Sequence, residues 1–119
     1  MNSSFAEEGS IRLVGGSNSL EGRVEINIQG HWGTVCGNLW DIDDATVVCH
    51  QLGYPAALQA HKWARLNFGS GSGIIWLDGV ECTGLETNLT QCRSRGLGVH
   101  SCSHSEDAGV TCSSESGKC

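Results

Sequence analysis

The amino-acid sequence predicts a small, disulfide-stapled α+β domain in which several short strands accompany one main helix. The first observation is the cysteine content: 7 of the 119 residues are cysteines, which is typical of small domains from oxidising compartments. The second is a series of short β-branched runs separated by glycine. The third is one segment whose apolar residues repeat with helical spacing. A chain of this length holds one modest hydrophobic core.

The first predicted strands form a hairpin. IRLV, from Ile11, begins one strand, and RVEINI, residues 23–28, alternates apolar and polar side chains as a half-buried strand does. Gln29-Gly30 predicts a tight turn after that strand. We therefore expect the chain to fold back into HWGTVC as the next strand.

The main helix is predicted in DIDDATVVCHQLG, from about Asp43 to Leu52. Its acidic start supplies an N-terminal cap and a charge that suits the helix dipole, and Gly53, followed by Pro55, supplies the stop. One face carries residues at positions i, i+3, i+4 and i+7, namely Ala45, Val48, Cys49 and Leu52. We therefore expect Cys49 to point into the core as a cross-link.

The second half of the chain alternates loops and short elements. GSGSG, residues 69–73, is read as a flexible loop after a less regular stretch. IIWLDGVEC, residues 74–82, predicts a strand, a break at Gly79 and a second short strand. TNLTQC, residues 87–92, predicts one helical turn, and DAGVTC, residues 107–112, predicts the closing strand.

The boundaries of the domain follow from composition. Residues 1–10 and 113–119 are small and polar, so they are predicted to be flexible tails around a domain at residues 11–112. No internal repeat occurs at a period of roughly 20 to 50 residues. No apolar run approaches the roughly 18 residues that cross a bilayer, and the start MNSSFAEEGS is unlike a signal peptide. We expect no direct membrane insertion, and a leader or anchor outside this sequence.

The charge and the cysteines exclude several classes of function. The formal net charge is −6, which disfavours nucleic acid as a partner. Zinc is not expected, because no C-x2-C spacing occurs. Catalysis is not expected either, because the thiols are better used as disulfides and no G-x-S-x-G or Walker motif is present. The cysteine content instead predicts an extracellular protein, secreted or part of a cell-surface ectodomain.

The pairing of the cysteines is open at this point. Six of them lie inside the predicted domain, and six can pair in fifteen ways. Cys119, the last residue, is left over. It is therefore a candidate for an interchain disulfide or a free thiol.

The predicted domain contains five ordered motifs: IRLVGGSNSLEGRVEI, the WGTVC hairpin, WDIDDATVVCHQLGY, GSGIIWLDGVECTGLETNLTQC and CSHSEDAGVTC. Together they resemble the scavenger receptor cysteine-rich domain over residues 11–112. The resemblance implies a curved, mostly antiparallel sheet that cradles one helix. Leu20 and Tyr54 stand where the eight-cysteine subgroup has an extra pair, so it also implies the six-cysteine, group A type. The disulfides of that type would be Cys36–Cys102, Cys49–Cys112 and Cys82–Cys92.

The resemblance also points to a cation site. Many family members bind a divalent cation through two aspartates after the cysteine of WGTVC and the glutamate of H-x-E-D. Here these positions hold Gly37, Asn38 and Glu106, so two of the three carboxylates are missing. No cofactor is required by this interpretation, and weak calcium binding at Asn38 and Glu106 is the hypothesis. The acidic residues that could compensate are Asp41, Asp43, Asp44 and Asp107; helix capping is the alternative role for the first three, and a surface carboxylate for Asp107 and Glu106.

Basic residues give the candidate ligand contacts. Arg93 and Arg95, in CRSRG, are the main concentrated basic feature, and a second candidate face has Lys62, Arg65 and His61. Arginine forks suit carboxylate, sulfate and phosphate groups. Because scavenging members of the family bind polyanions or microbial surfaces, the resemblance implies ligand binding at Arg93 and Arg95. The alternative is that these arginines are only solvated loop residues.

The tryptophans and asparagines complete the candidates. Three tryptophans of the matched motifs are expected in or near the core: Trp32, Trp40 and Trp76. Trp63, in AHKWARL, either packs or anchors a partner. Asn88 and Asn2 are glycosylation acceptors if the chain is secreted.

The sequence as a whole predicts an extracellular, non-catalytic recognition module. Its surface loops would bind an extracellular protein, a polyanion or a microbial surface. One alternative is a structural module of a secreted or membrane glycoprotein, with Cys119 joining chains. Another is an accessory domain of a larger secreted enzyme.

Overall fold

The structure is a computed structural model that describes residues 7–115. Its six strands are β1 (Ile11–Gly15), β2 (Glu21–Ile28), β3 (His31–Val35), β4 (Ala56–His61), β5 (Ile75–Leu77) and β6 (Gly109–Ser113). One α-helix, α1 (Ile42–Gln51), lies between β3 and β4. Three short 3-10 turns are described at Ala64–Leu66, Leu89–Gln91 and His104–Glu106.

Strand β2 is central because it pairs with three others. It runs antiparallel to β1, β3 and β6, while β4 runs antiparallel to β6. Only β5 is parallel to its partner, β3. The order β4-β6-β2-β3-β5, with β1 also on β2, gives one curled mixed sheet. The predicted α+β class, with a mostly antiparallel sheet and one helix, is therefore confirmed.

Helix α1 begins and ends at local sequence signals. Asp41 is the N-cap: its carboxylate accepts from the backbone N–H groups of Asp43 and Asp44, and the Asp44 side chain accepts from Asp41 N. Gly53 follows the helix with φ +92°, a conformation that favours glycine. The predicted helix, from about Asp43 to Leu52, begins and ends one residue later than the observed helix. Capping is the observed role of Asp41 and Asp44.

The core lies between the helix and one face of the sheet. Its fully buried members include Val24 and Ile26 of β2, with Val48 and Cys49 of α1. The other face of β2 differs from the half-buried prediction, because Arg23, Glu25 and Asn27 are also buried. Glu25 there accepts ion pairs from two arginines, Arg12 at 2.7 Å and Arg23 at 3.0 Å. β2 therefore has an apolar face and a charged but covered face.

Two predictions about elements were wrong. β4 was missed, because its alanines have low strand propensity and a bulge between Ala57 and Gln59 breaks its alternation. The second strand expected after Gly79 is only an isolated bridge between Glu81 and Arg93.

The predicted helical turn at residues 87–92 is present as the 3-10 turn Leu89–Gln91. At the N-terminal end, Gly9 and Ser10 form backbone hydrogen bonds with Asn27 of β2, although they fall inside the predicted tail. Residues 1–6 and 116–119 lie outside the described residues.

Candidate ligand-binding surface

Three disulfides fix the loops of the domain. Cys36–Cys102 joins the end of β3 to the segment before β6, Cys49–Cys112 joins α1 to β6, and Cys82–Cys92 closes a short loop. These are the pairs that the family resemblance implies. Every cysteine in residues 7–115 is therefore used as a cross-link, and Cys119 lies outside the described residues. A thiolate nucleophile or zinc-binding thiolate is thus absent from the described part of the chain.

Arg93 and Arg95 follow the Cys82–Cys92 disulfide directly and are both exposed. Arg95 Nη1 donates to Oδ2 of Asp78 at 3.0 Å, and its backbone N–H donates to the Asp78 carbonyl. The backbone of Arg93 is held by the N–H of Glu81. The structure thus brings both predicted arginines to one loop, with the charge of Arg95 compensated by Asp78.

The cation positions of the family meet in a small cleft. Asn38 and Glu106 line a cavity of about 180 Å³, together with Gly37, Lys62 and Trp63. The cleft forms because the N–H of Gly37 donates to the carbonyl of Glu106, which brings the end of β3 against the turn before β6. The two residues that the resemblance named for a cation site, Asn38 and Glu106, therefore line the same cleft.

These residues offer few ligands to a divalent cation. A Cβ at Gly37 would overlap the Lys62 carbonyl oxygen and lie 3.0 Å from that of Glu106, so the backbone leaves no room for a carboxylate side chain. One oxygen of Glu106 already accepts from Ser103 N at 3.0 Å. Asn38 adds only an exposed amide. Calcium prefers six to eight oxygen ligands with several carboxylates, and the cleft offers one carboxylate.

Of the acidic residues that might compensate, Asp41, Asp44 and Asp107 are engaged elsewhere, whereas Asp43 is an exposed residue of α1. Asp41 and Asp44 cap α1, and Asp44 also accepts from Cys82 N at 2.8 Å. Two other groupings of metal-ligand side chains occur in the described residues, Cys36-Cys102-Glu106 and Cys82-Glu86-Cys92. Both depend on sulfur atoms that are already joined in disulfides. A disulfide sulfur lacks the thiolate charge that binds metals.

Asp107 is not a surface carboxylate, contrary to the alternative considered for it. It is fully buried, and it accepts from Gly71 N at 2.7 Å and contacts His104 Nδ1 at 3.0 Å. A Cβ at Gly71 would lie 2.6 Å from Thr34 Cγ2. The glycine-rich loop is therefore packed against the sheet through Asp107, a role that sequence spacing could not indicate.

Burial shifts the pKa values of two side chains, Asp44 and His61. Burial raises the pKa of Asp44 from 3.8 to about 7, although backbone N–H groups of Cys82 and Asp41 oppose this shift by stabilising the charged form. Burial lowers the pKa of His61, which contacts Thr111 Oγ1 through Nε2. His61 therefore stays neutral at pH 7 and does not add to the charge of Lys62 and Arg65.

The segment after β4 exposes both positively charged and apolar side chains. Lys62, Trp63, Arg65 and Leu66 are exposed, whereas His61 is buried. Trp63 is thus an exposed residue. Of the other tryptophans, Trp40 is fully buried and donates to the Gly109 carbonyl, and Trp32 and Trp76 are half-buried.

The predicted glycosylation site at Asn88 has a structural role in addition. Asn88 Oδ1 caps the turn Leu89–Gln91 by accepting from Thr90 N at 3.0 Å, and the residue is half-buried. Asn2 lies outside the described residues.

The fold and its cross-links define a small receptor-type module of extracellular proteins. A family model for the scavenger receptor cysteine-rich domain matches residues 14–113. The chain therefore belongs to the scavenger receptor cysteine-rich family. No α-helix described in residues 7–115 has the length and apolarity to cross a membrane.

Individual relatives agree with this assignment. The chain is 55% identical over 105 residues to macrophage scavenger receptor types I and II of Mus musculus, a match covering 88% of the chain and 22% of that protein. It is 55% identical over 109 residues to mouse galectin-3-binding protein, covering 92% of the chain and 18% of that protein. The chain thus spans about a fifth of these relatives. The crystal structure of the third SRCR domain of murine neurotrypsin matches with a TM-score of 0.78 and 49% identity, over 87% of the chain and 94% of that structure.

Proposed function

We propose that this chain is an extracellular, non-catalytic recognition module whose surface loops bind a protein, a polyanion or a microbial surface. The observation that carries this proposal is the distribution of unpaired cations. Within the described residues, Arg12, Arg23 and Arg95 make ion pairs. Three exposed cations of residues 7–115 make no ion pair. Lys62 and Arg65 follow the end of β4, and Arg93 follows the Cys82–Cys92 disulfide. Cations held in fixed loops are suited to contact anionic groups.

Arg93 and Arg95 are the proposed anion contacts of this module. The Cys82–Cys92 disulfide fixes the backbone next to Arg93, and the carboxylate of Asp78 holds the Arg95 side chain, so less conformational entropy is lost when a sulfate or carboxylate binds. No cofactor is required, and calcium at Asn38 and Glu106 would contribute only weakly.

The six-cysteine, group A type is part of the proposal. It is supported by Leu20 and Tyr54, which both pack against the core. Tyr54 Oη donates to the Ser19 carbonyl at 3.0 Å, so these positions are neighbours without a disulfide.

Two alternatives concern the parent protein. The chain covers 22% and 18% of the two curated relatives, which favours a secreted or cell-surface protein with further domains. In one alternative the module joins chains through Cys119. In the other it accompanies a catalytic domain. Mass under reducing and non-reducing conditions tests the first, and the parent sequence tests the second.

The test is a binding screen against heparin, bacterial cell surfaces and secreted proteins, with calcium or with EDTA. We expect the double variant Arg93→Ala, Arg95→Ala to bind heparin roughly tenfold more weakly. Arg12→Gln is the control for the loss of one positive charge elsewhere on the surface, from an arginine already paired with Glu25. Unchanged heparin binding would eliminate the two arginines, and no bound ligand of any class would overturn the recognition function.

A further inference from the structure

Two clefts flank the exposed side chain of Trp63. The larger, about 370 Å³, is lined by residues 59–63 with Leu66 and Asn67. The smaller is the cleft of Asn38 and Glu106 described above, about 180 Å³. Lys62 and Trp63 line both clefts, so they form the ridge between them. We call this region the Trp63 surface, formed by Leu39, Lys62, Trp63, Arg65 and Leu66.

The Trp63 surface exposes three large apolar side chains. Trp63 is 53% exposed, Leu66 65% and Leu39 54%. Tryptophan and arginine are enriched among the residues that dominate protein–protein binding, and apolar side chains gathered beside concave surface mark interaction sites. The backbone next to Trp63 is also held in place: the N–H of Ala64 donates to the carbonyl oxygen of the buried Asp107 at 2.8 Å. A partner therefore meets a surface that is already shaped.

The charge of this surface is positive although the chain carries −6 overall. Lys62 and Arg65 make no ion pair with any residue in 7–115. In the larger cleft Lys62 is the one charged group among the lining residues, since His61 is neutral. In the smaller cleft Glu106 opposes Lys62, but one of its oxygens is already bound to Ser103 N. An acidic group is therefore complementary to the larger cleft and its rim.

We propose that the Trp63 surface docks an acidic segment of a protein partner without a divalent cation. An apolar side chain of that segment occupies the larger cleft against Trp63 and Leu66, and an adjacent carboxylate pairs with Lys62 or Arg65. Lys62 also lines the smaller cleft, where its ammonium group supplies positive charge beside a single carboxylate, Glu106. A sulfated polysaccharide matches less well, because its densely charged rings offer no aliphatic side chain to occupy the larger cleft against Trp63 and Leu66.

Three probes separate these ligand classes in buffer with EDTA. The first is a synthetic peptide in which leucines are flanked by glutamates, the second is polyglutamate of equal charge, and the third is heparin. We expect the mixed peptide to bind more tightly than polyglutamate. Lys62→Glu and Trp63→Ala should each weaken peptide binding by roughly tenfold.

The control variants cover one loss of charge and one loss of apolar surface. Arg12→Gln removes the charge of a cation that lines neither cleft, and Leu85→Ala truncates an exposed leucine, 88% exposed, that also lines neither cleft. Both should leave peptide binding unchanged. Leu66→Ser repeats the test if Trp63→Ala folds poorly.

Several results would overturn the docking proposal: no peptide binding, binding that needs calcium, equal binding of polyglutamate, or equal losses in the control variants. Peptide binding that persists in the double variant Arg93→Ala, Arg95→Ala while heparin binding is lost supports two separate surfaces. Heparin binding that depends on Lys62 and Trp63, with no peptide binding, would assign this surface to polysaccharide. A failure of the arginine test at Arg93 leaves the Trp63 surface unaffected, so the two proposals are judged separately.

Discussion

The guanidinium of Arg95 rests on the carboxylate of Asp78, with Nη1 3.0 Å from Oδ2. The arginine side chain is 48% exposed, whereas that of the aspartate is 1% exposed. The other oxygen, Oδ1, is buried without a hydrogen-bond partner in the described residues. Asp78 therefore positions Arg95 at the surface and at the same time cancels much of its charge.

We expect Asp78→Asn to strengthen heparin binding. The amide oxygen can still accept from Arg95 Nη1, but the negative charge beside the guanidinium is gone. The variant should elute from a heparin column at higher salt, with affinity increased by a few-fold, on the order of 1 kcal/mol or less. Asp43→Asn is the control, because it removes the same charge from an exposed residue of α1. An equal shift in both variants would mean that only the net charge matters.

Asp44 should make the stability of the domain depend on pH. Its pKa in the folded state is about 7, against an ordinary value of 3.8, and burial is the main cause. Between these values the folded state binds more protons than the unfolded state, so the free energy of unfolding falls as pH rises from about 4 to about 7. We expect a decrease of roughly 1 to 3 kcal/mol from this group.

Asp44→Asn removes this titration while keeping one acceptor oxygen, which can accept from the N–H of either Asp41 or Cys82. Urea unfolding of both proteins at several pH values gives the comparison. The other titrating groups are common to the two proteins, so the difference in slope isolates Asp44. Parallel profiles would show that the carboxylate titrates normally in the folded state.

The disulfides should differ in their contribution to stability. In the chain-entropy model a longer closed loop contributes more. Cys49–Cys112 spans 63 residues and Cys82–Cys92 spans 10, so we expect losses of about 4 and about 3 kcal/mol on replacement by alanine. Cys49 and Cys112 are also buried in the core, which increases the first loss. Urea unfolding of the two double variants tests the order, and the reverse order would contradict it.

Sequence reasoning succeeded where the signals are local. The cap at Asp41 and Asp44 and the glycine stop at Gly53 lie next to the helix that they limit. The hairpin at Gln29-Gly30 is equally local, and the turn places Gln29 at φ 55° and Gly30 at φ 84°. Such features depend on neighbouring residues alone, so one sequence contains them in full.

The rest depended on contacts between distant residues. The buried Asp107 accepts a hydrogen bond from Gly71, 36 residues away. Arg95 meets Asp78 across 17 residues. The smaller cleft beside Trp63 exists because residues 37–39 meet Lys62, Trp63 and Glu106. Spacing along the chain does not encode these encounters, so the sequence indicated Trp63 and the arginines as candidates without their surroundings.

Gly37 should tolerate no side chain. Its hypothetical Cβ would overlap backbone atoms, which cannot rotate away as a flexible side chain does. We expect Gly37→Ala to lose roughly 1 to 3 kcal/mol of stability, and Gly37→Asp at least as much. Asn38→Ala, at the exposed neighbour, should change stability by no more than about 0.5 kcal/mol. Thermal or urea unfolding measures both, and a stable Gly37→Asp would show that this backbone can move apart.

A carboxylate at residue 38, next to Gly37, should strengthen calcium binding. Asn38 is exposed at the mouth of the cleft that Glu106 lines, so a carboxylate fits there without a backbone shift. We expect the natural chain to bind calcium no more tightly than about millimolar, because the affinity of calcium sites follows the number of carboxylate ligands. Asn38→Asp should tighten binding by roughly tenfold, and adding Glu106→Gln should reverse the gain. Calorimetric or NMR titration measures all three proteins. Micromolar binding by the natural chain would show that carbonyl oxygens and Glu106 suffice, and that the cleft beside Lys62 does accept a metal ion.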